Sequence, residues 1–350
     1  MNKLKRVLGI LVFWSIGLVL LYNVSIFLRP VNDDFGRKIV CGFYGEEEDT
    51  LDIVGIGGSA LRYYMNLPVM WDEFELTSYN MSTMSQSCFM VEHIIDEIKK
   101  TQSPQLYIVE IRKFLTTESK DEQSDRFCYV IDNMKHSKNR LDLIHYMTDS
   151  LEERIPYYFD IISYHDTWED VTYENFAYLD NEEKQPLKGW RNKRTQRVIE
   201  EPIIYPTEEL EKEAISEVSE EALRSLLQKC QEENLQVLFL ATPWQIDETS
   251  QKRSLYIKEL IEDAGFQFLD CNQFMEDIDL VWTTDMLDDK HVNMLGSEKV
   301  TRFVGQYIKD NYELSTEHSE AVVADWTQVM EEHHIQAEEV RRKILNKKEN

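Results

Sequence analysis

The chain has 350 residues, of which 42% are hydrophobic and 29% are charged, a composition that suits one large core or two modest domains and excludes a disordered chain. Asp and Glu number 65 against 38 Lys and Arg, for a net charge of −27. Such a surface repels phosphate backbones, and no basic stripe interleaved with aromatic residues offsets it, so we exclude nucleic acid as a partner.

The N-terminus predicts a membrane anchor. Residues 7–28 are almost wholly apolar and follow Lys3, Lys5 and Arg6. A run of this length can cross a hydrocarbon core of about 30 Å, and the basic residues favour a cytosolic N-terminus, which leaves the rest of the chain outside the cytoplasm. A cleaved signal peptide is the alternative, although the run exceeds a usual h-region of about 7–15 residues. We predict a single-pass cell-membrane protein whose residues 1–28 are the cytosolic N-terminus and anchor.

Residues 29–50 are polar and end in an acidic run, which predicts a short stalk before a folded domain over residues 51–312. Four short apolar runs in that domain have the length of strands buried on both faces. They are Leu51–Gly57, Leu106–Ile111, Gln236–Ala241 and Phe266–Asp270. Tyr79–Ser82 is a weaker strand candidate.

Helical periodicity separates most of these runs, most clearly at Met90–Lys100 and Glu208–Glu233, with a further helix at Glu298–Ile308. Alternating strands and helices predict an α/β fold, a three-layer α/β/α sandwich of flavodoxin-like type around a mostly parallel sheet. Residues 313–350 predict an amphipathic helix docked on the domain or on a second copy. Its apolar stripe is Val322, Trp326, Val329, His333, Ala337, Val340 and Ile344.

Between residues 116 and 205 the alternation stops, and the segment is too long for an ordinary connection. It predicts an inserted helical subdomain or lid. The segment is rich in aromatic residues: Tyr157, Tyr158, Phe159, Tyr164, Trp168, Tyr173, Phe176, Tyr178 and Trp190. We expect most of them to form the core of the insert itself, with substrate contact as the alternative.

The cysteine and histidine pattern predicts no metal site. The five cysteines (Cys41, Cys88, Cys128, Cys230 and Cys271) have no CxxC or paired spacing. We therefore expect buried free thiols rather than zinc ligands or a disulfide framework. The adjacent His333 and His334 are expected to form a surface pair.

The stretch IVGIGGSALRYYMN, Ile53–Asn66, places Ser59 at the end of the first predicted strand and at the start of a helix. Crevices form at such positions in parallel sheets. Gly57 and Gly58 permit a sharp turn, and no P-loop pattern is present. Ser59 is therefore either a helix cap or a nucleophile, because the first amides of the helix suit a cap as well as an oxyanion.

A nucleophilic serine needs a base, and the base needs a group that orients it. The stretch WTTDMLDDKHVNMLGS, Trp282–Ser297, contains Asp288 three residues before His291 and precedes the last helix of the domain. On a tight turn this spacing lets a carboxylate reach the imidazole Nδ1 while Nε2 faces outward. The pair is a candidate partner for Ser59.

A serine after the first strand followed by Asp-x-x-His, on an alternating α/β chain, resembles the SGNH or GDSL hydrolases. The ending KHVNMLGSEKVTRFVGQYI and the N-terminal span resemble their membrane-anchored branch, which is similar to the D-alanine transfer protein of teichoic-acid modification and to polysaccharide O-acetyl transfer proteins. The resemblance covers roughly Leu51–Tyr312. It implies Ser59 as nucleophile, His291 as base and Asp288 as the residue that orients the base, with no metal or organic cofactor.

The chain departs from that family at the oxyanion site. The glycine expected in the second block is missing from Tyr79–Ser82, so the amide of Ser82 is the expected substitute beside that of Ser59. The asparagine of the third block is missing from LYIVEIRKF, which leaves Asn80 or Arg112 as replacements. We expect Glu110 and Arg112 to form a buried ion pair at the strand end.

The leading hypothesis is an extracytoplasmic serine esterase or O-acyltransferase of the cell envelope. Its substrate is an acyl ester or a polysaccharide, and an integral-membrane acyltransferase is a candidate partner. The alternative is a non-catalytic accessory or binding protein on the same scaffold.

Overall fold

The computed structural model describes residues 2–30, 33–177, 184–193 and 195–346. The strands are β1 Ile53–Ile56, β2 Ser78–Asn80, β3 Leu106–Glu110, β4 Val237–Ala241 and β5 Gln267–Asp270. The helices before β3 are α1 Asn2–Phe27, α2 Arg37–Tyr44, α3 Ser59–Tyr64, α4 Leu67–Phe74 and α5 Val91–Ile98. Those after β3 are α6 Arg112–Thr116, α7 Cys128–Ile131, α8 Lys138–Met147, α9 Leu151–Tyr158, α10 Ile161–Tyr164, α11 Glu174–Ala177, α12 Glu217–Glu232, α13 Glu248–Asp263, α14 Met294–Asn311 and α15 Glu320–Asn346. Short 3₁₀ turns lie at Cys88–Met90, Ser124–Arg126, His165–Asp170, Thr207–Glu209 and Cys271–Gln273.

The five strands form one parallel sheet in the order β2-β1-β3-β4-β5. The strand predictions are confirmed, and the weaker candidate is the edge strand β2. Side chains of the central strands alternate between two buried clusters, with Val54 and Val109 on one face and Ile53 and Ile108 on the other. Because both faces are covered, these strands are continuous apolar runs.

Helices lie on both faces of the sheet, which confirms the predicted α/β sandwich. Residues of α2, α5, α8 and α12 line one cluster, and residues of α3, α4, α14 and α15 line the other. The strand order reverses at β1, which has β2 on one side and β3 on the other. Parallel sheets hold their ligands at such a switch point, outside the carboxyl ends of the strands.

The prediction of a stalk over residues 29–50 is wrong. Residues 37–44 form α2, and its Ile39, Val40 and Phe43 are buried in the same cluster as the sheet. Three apolar side chains at helical spacing within a polar segment are enough to dock one short helix. The folded domain therefore begins well before Leu51.

The insert is helical through Ala177, but its apolar residues do not form a separate core. Val130, Ile131 and Leu143 belong to the cluster that covers the sheet. Trp168, Tyr173 and Phe176 are exposed, so the expectation that they form a core is wrong for them, and Tyr178 lies outside the described residues. The helix predicted from Glu208 begins at Glu217 instead, where Ser216 caps it by accepting from the Ser219 amide.

The predicted C-terminal amphipathic helix is α15, and it docks on the domain. Its stripe is buried from Val322 to Val340, while the side chain of Ile344 lies outside the described residues. His333 is part of this stripe and packs against the ring of Trp190 at 5.4 Å, so the predicted surface pair is wrong for it. His334 is exposed.

Lys188 joins three distant parts of the chain. Its ammonium lies 2.9 Å from Glu46 and 2.8 Å from Asp325 on α15. The Lys188 and Glu46 side chains are only 1% and 3% exposed. Burial raises the pKa of the Glu46 carboxyl although Lys188 opposes this, whereas the charge and hydrogen bond of Lys188 outweigh burial and lower the pKa of Asp325.

Acid should weaken the docking of α15 through His333. Burial, with the nearby charges of His334 and Arg341, lowers the pKa of His333 to about 4, against about 6.5 in an unfolded chain. Between these values the unfolded state binds more protons, so the free energy of unfolding decreases as the pH is lowered through this window, by up to about 3 kcal/mol.

We expect His333→Leu to remove this part of the pH dependence, as measured by unfolding of the detergent-solubilised chain at pH values above and below the window. Comparing the two proteins cancels every other titrating group. Equal pH dependence in both would contradict the assignment.

The N-terminal helix is long and apolar enough over Lys3–Phe27 to span a membrane or to act as a signal sequence, and its apolar window is not buried against the domain. All five cysteines are free thiols in the structure.

Candidate active site

Ser59 lies at the switch point, directly after β1. The turn requires glycine at position 57, because a Cβ there would lie 2.7 Å from the Cβ of Glu110. Gly58 is the N-cap residue of α3, and Ser59 is the first residue of the helix. No side-chain capping bond forms at this end of α3, so the Ser59 hydroxyl is available for another partner.

That partner is His291. The Ser59 Oγ lies 2.9 Å from the His291 Nε2, and the His291 Nδ1 lies 2.9 and 3.0 Å from the two carboxylate oxygens of Asp288. Because an ionised carboxylate only accepts hydrogen bonds, Nδ1 carries the proton. Nε2 of the neutral ring is then the acceptor for the serine hydroxyl. The structure therefore brings together the three residues that the sequence singled out.

The charge state of Asp288 suits this arrangement. Burial raises the pKa of the Asp288 carboxyl, but the His291 imidazole and the amides of Lys290 and His291 outweigh it, so the net pKa lies below its ordinary value. Asp288 is thus a carboxylate at neutral pH. The side chains of His291 and Asp288 are 19% and 32% exposed, which places the site at the surface of the domain.

A tight hairpin holds Asp288 and His291. Met286 pairs with Val292 in an antiparallel bridge, and the Leu287 amide donates to the His291 carbonyl at 2.9 Å. The following helix packs closely on this turn, since a Cβ on Gly296 would lie 2.6 Å from the Asp285 carbonyl oxygen. Close packing fixes the turn, and with it the direction of the imidazole.

Arg112 also holds this hairpin in place. Its guanidinium donates to the Lys290 carbonyl at 3.0 Å and to the Thr242 Oγ1 at 2.8 Å, and lies 4.7 Å from the centre of the Trp244 ring. The ion pair with Glu110 is present at 3.7 Å. Arg112 therefore bridges the ends of two strands to the histidine turn through its terminal nitrogens, while its Nε has no hydrogen-bond partner among the described residues.

The candidate oxyanion donors are Asn80, Ser82 and Ser59, and their surroundings differ. The Asn80 side chain is buried and donates to the Leu61 carbonyl at 3.4 Å, so it braces α3. Ser82 is fully buried, and its hydroxyl has no hydrogen-bond partner among the described residues. The predicted donor at position 82 is the backbone amide, and it stays a candidate beside the backbone amide of Ser59, which belongs to the first turn of α3.

The sequence reasoning missed Tyr63. Its ring centre lies 4.6 Å from that of His291, and the guanidinium of Arg191 lies 5.9 Å from the same tyrosine ring. A signal was present, because residues four apart share a helix face and Tyr63 is four residues after Ser59. Tyr63 forms one wall beside the imidazole.

Among the residues that the structure describes, no group of three or more His, Cys, Asp or Glu side chains could hold a metal ion. No protein-family model matches this chain, and no curated protein does. Its structure is similar to that of a protein described as lipolytic and of the G-D-S-L family, from Desulfitobacterium hafniense DCB-2. That similarity covers 73% of this chain and 97% of the other, at 10% sequence identity and a TM-score of 0.37. With values this low, the site is interpreted from its own geometry.

Proposed function

We propose that this protein is an extracytoplasmic serine acyl-transfer enzyme, an esterase or O-acyltransferase that acts on a cell-envelope polymer. The observation that carries the proposal is the hydrogen-bonded line from the Ser59 hydroxyl through His291 to Asp288. A helix cap would not need an imidazole at 2.9 Å, nor a carboxylate on the far nitrogen of that ring.

The chemistry follows from this line. The Ser59 Oγ attacks the acyl carbon of an ester while its proton passes to His291 Nε2, and the Asp288 carboxylate stabilises the imidazolium. The tetrahedral oxyanion accepts from backbone amides, of which the Ser59 amide is our first candidate. Collapse breaks the bond to the leaving alcohol, which takes the proton from His291, and the acyl group stays on Ser59.

Deacylation uses the same groups in reverse. The incoming hydroxyl gives its proton to His291 Nε2 and attacks the acyl carbon, and Ser59 leaves with that proton. Water as acceptor makes the enzyme an esterase, and a polymer hydroxyl makes it a transferase. The partly exposed triad supports a polymer acceptor, because a long chain can lie across an open site. A membrane anchor at α1 would hold that site near envelope polymers and near an integral-membrane protein that supplies the acyl group.

Labelling of the detergent-solubilised chain with a fluorophosphonate probe tests the proposal. We expect one covalent adduct on the peptide that contains Ser59, because the probe reacts with serines activated by a base. His291→Gln should slow labelling strongly, whereas His334→Gln, which changes an exposed residue of α15, should not. Labelling that is absent, or that is indifferent to His291, would favour the alternative of a non-catalytic accessory protein.

A further inference from the structure

The end of α1 is bound to the insert through hydrogen bonds and an ion pair. The Asn175 side-chain amide donates to the Phe27 carbonyl at 2.8 Å, and the Thr167 hydroxyl donates to the Leu28 carbonyl. Arg29 then forms an ion pair with Asp160, with both side chains largely buried. These contacts satisfy carbonyls at the end of the helix, which would otherwise lack partners. The insert thus packs against the end of α1 and binds it directly.

The segment that binds α1 also exposes large apolar side chains. We call this set the aromatic collar: Phe159, Ile162, Trp168, Tyr173 and Phe176. Trp168 is 65% exposed and Tyr173 is 87% exposed. Exposed groups of this kind mark interaction surfaces, because a soluble domain gains nothing from holding several aromatic rings in water.

The aromatic collar is continuous with the apolar surface of α1. The ring of Phe176 lies 4.8 Å from that of Phe27, the last residue of α1, and Tyr173 lies 6.0 Å from Phe176. The apolar window of α1 has none of its residues buried inside the structure. A surface that covers the C-terminal end of α1 therefore also contacts Phe176 and Tyr173 of the aromatic collar.

We propose that the aromatic collar lies in the headgroup layer of the bilayer that α1 crosses, so that the domain rests directly on the membrane surface. This rests on the membrane location proposed for the chain. Tryptophan and tyrosine favour that layer, because one side of the ring is apolar and the other carries a polar group.

The charged residues of this segment limit how deeply the aromatic collar can enter the bilayer. Asp166, Glu169, Asp170 and Glu174 alternate with the collar residues and are exposed. Moving carboxylates into hydrocarbon is costly, so the collar stops at the headgroups. The same carboxylates are repelled by anionic lipids. The surface therefore suits a zwitterionic leaflet better than an anionic one.

Tryptophan quenching in bilayers tests this with the full chain. The chain is reconstituted into phosphatidylcholine vesicles whose acyl chains carry bromine either near the headgroup or near the chain end. Trp168→Phe and Trp14→Phe isolate the emission of each tryptophan by difference. Trp14 lies within α1, about 20 Å along the helix from Phe27 at 1.5 Å per residue, so it reports whether α1 is inserted.

We expect the Trp168 emission to be lost with shallow bromine and largely kept with deep bromine, and the Trp14 emission to be lost with deep bromine. Replacing phosphatidylcholine by phosphatidylglycerol should weaken the quenching of Trp168 only. Trp168→Phe should leave the thermal midpoint unchanged, because the side chain is exposed.

The proposal is overturned if brominated lipid quenches Trp14 while only aqueous iodide quenches Trp168. The aromatic collar would then be a surface for a protein partner. If neither brominated lipid quenches Trp14, α1 is not inserted in the bilayer, and the proposals of a membrane anchor and of a membrane-bound collar both fail. Neither result touches the catalytic proposal, which is decided separately by fluorophosphonate labelling in detergent.

Discussion

Ser59→Ala should abolish hydrolysis of a small acetyl ester while leaving the fold intact. In the proposed mechanism the Ser59 hydroxyl attacks the acyl carbon, and neither His291 nor Asp288 can replace it. Removal of a triad nucleophile costs at least about 10³-fold in kcat. Stability should change by only about 1 kcal/mol, the worth of the single hydrogen bond to His291, because Gly58 rather than Ser59 occupies the cap position. Initial rates and thermal unfolding on the same preparation measure both quantities.

Ser216→Ala is the matched control, since Ser216 is a serine that does cap a helix. Its hydroxyl accepts from the Ser219 amide at the start of α12, and losing a cap costs about 0.5–2 kcal/mol. We expect this variant to melt earlier and to keep its activity. An active Ser59→Ala enzyme that melts like Ser216→Ala would show that Ser59 is structural and would remove the main support for the triad.

Lys188→Met should be among the most destabilising single substitutions in the domain. It leaves the buried Glu46 carboxylate without its nearest cation and removes one of the two lysines that pair with Asp325 on α15. Deleting one partner of a buried pair costs about 3–5 kcal/mol, because the remaining charge is stranded away from water. Chemical unfolding followed by tryptophan emission measures the loss. The loss should be smaller in acid, where Glu46 accepts a proton.

Lys184→Met provides the comparison. Lys184 also faces Asp325, at 3.4 Å, but its side chain is 35% exposed. Exposed ion pairs contribute about 0–1 kcal/mol, so this variant should unfold nearly as the parent does. Similar losses for the two lysines would mean that burial does not set the strength of the Lys188 contacts.

The parts of the fold that sequence alone predicted are those with local signals. Runs such as Leu106–Ile111 are apolar at every position because both faces of the strand are covered, and few other structures produce that pattern. Ser59 and the Asp288–His291 pair stood out because each follows a strand or precedes a helix, where parallel sheets hold their sites. The distance of 2.9 Å between the Ser59 Oγ and the His291 Nε2 came from the structure alone.

Three features escaped the sequence because the deciding partner is remote along the chain. Residues 37–44 contain the apolar Ile39, Val40 and Phe43 but lie within a segment that is polar on both sides, and the sheet surface that buries them is remote in sequence. Trp168 and Phe176 look like core residues until the end of α1 is placed beside them. Lys188 has no local sign of burial, since its carboxylates come from positions 46 and 325.

The wide spacing of Glu46, Lys188 and Asp325 also bears on when the protein can fold. A chain emerges from the ribosome N-terminus first, and α15, which supplies Asp325, follows every strand of the sheet. Until α15 docks, His333 does not cover Trp190, and Asp325 has not yet joined the Lys188–Glu46 pair. Contacts between such distant positions close late. Until α15 has docked, the domain therefore presents an open apolar face, and it reaches its native state only after α15 has packed against it.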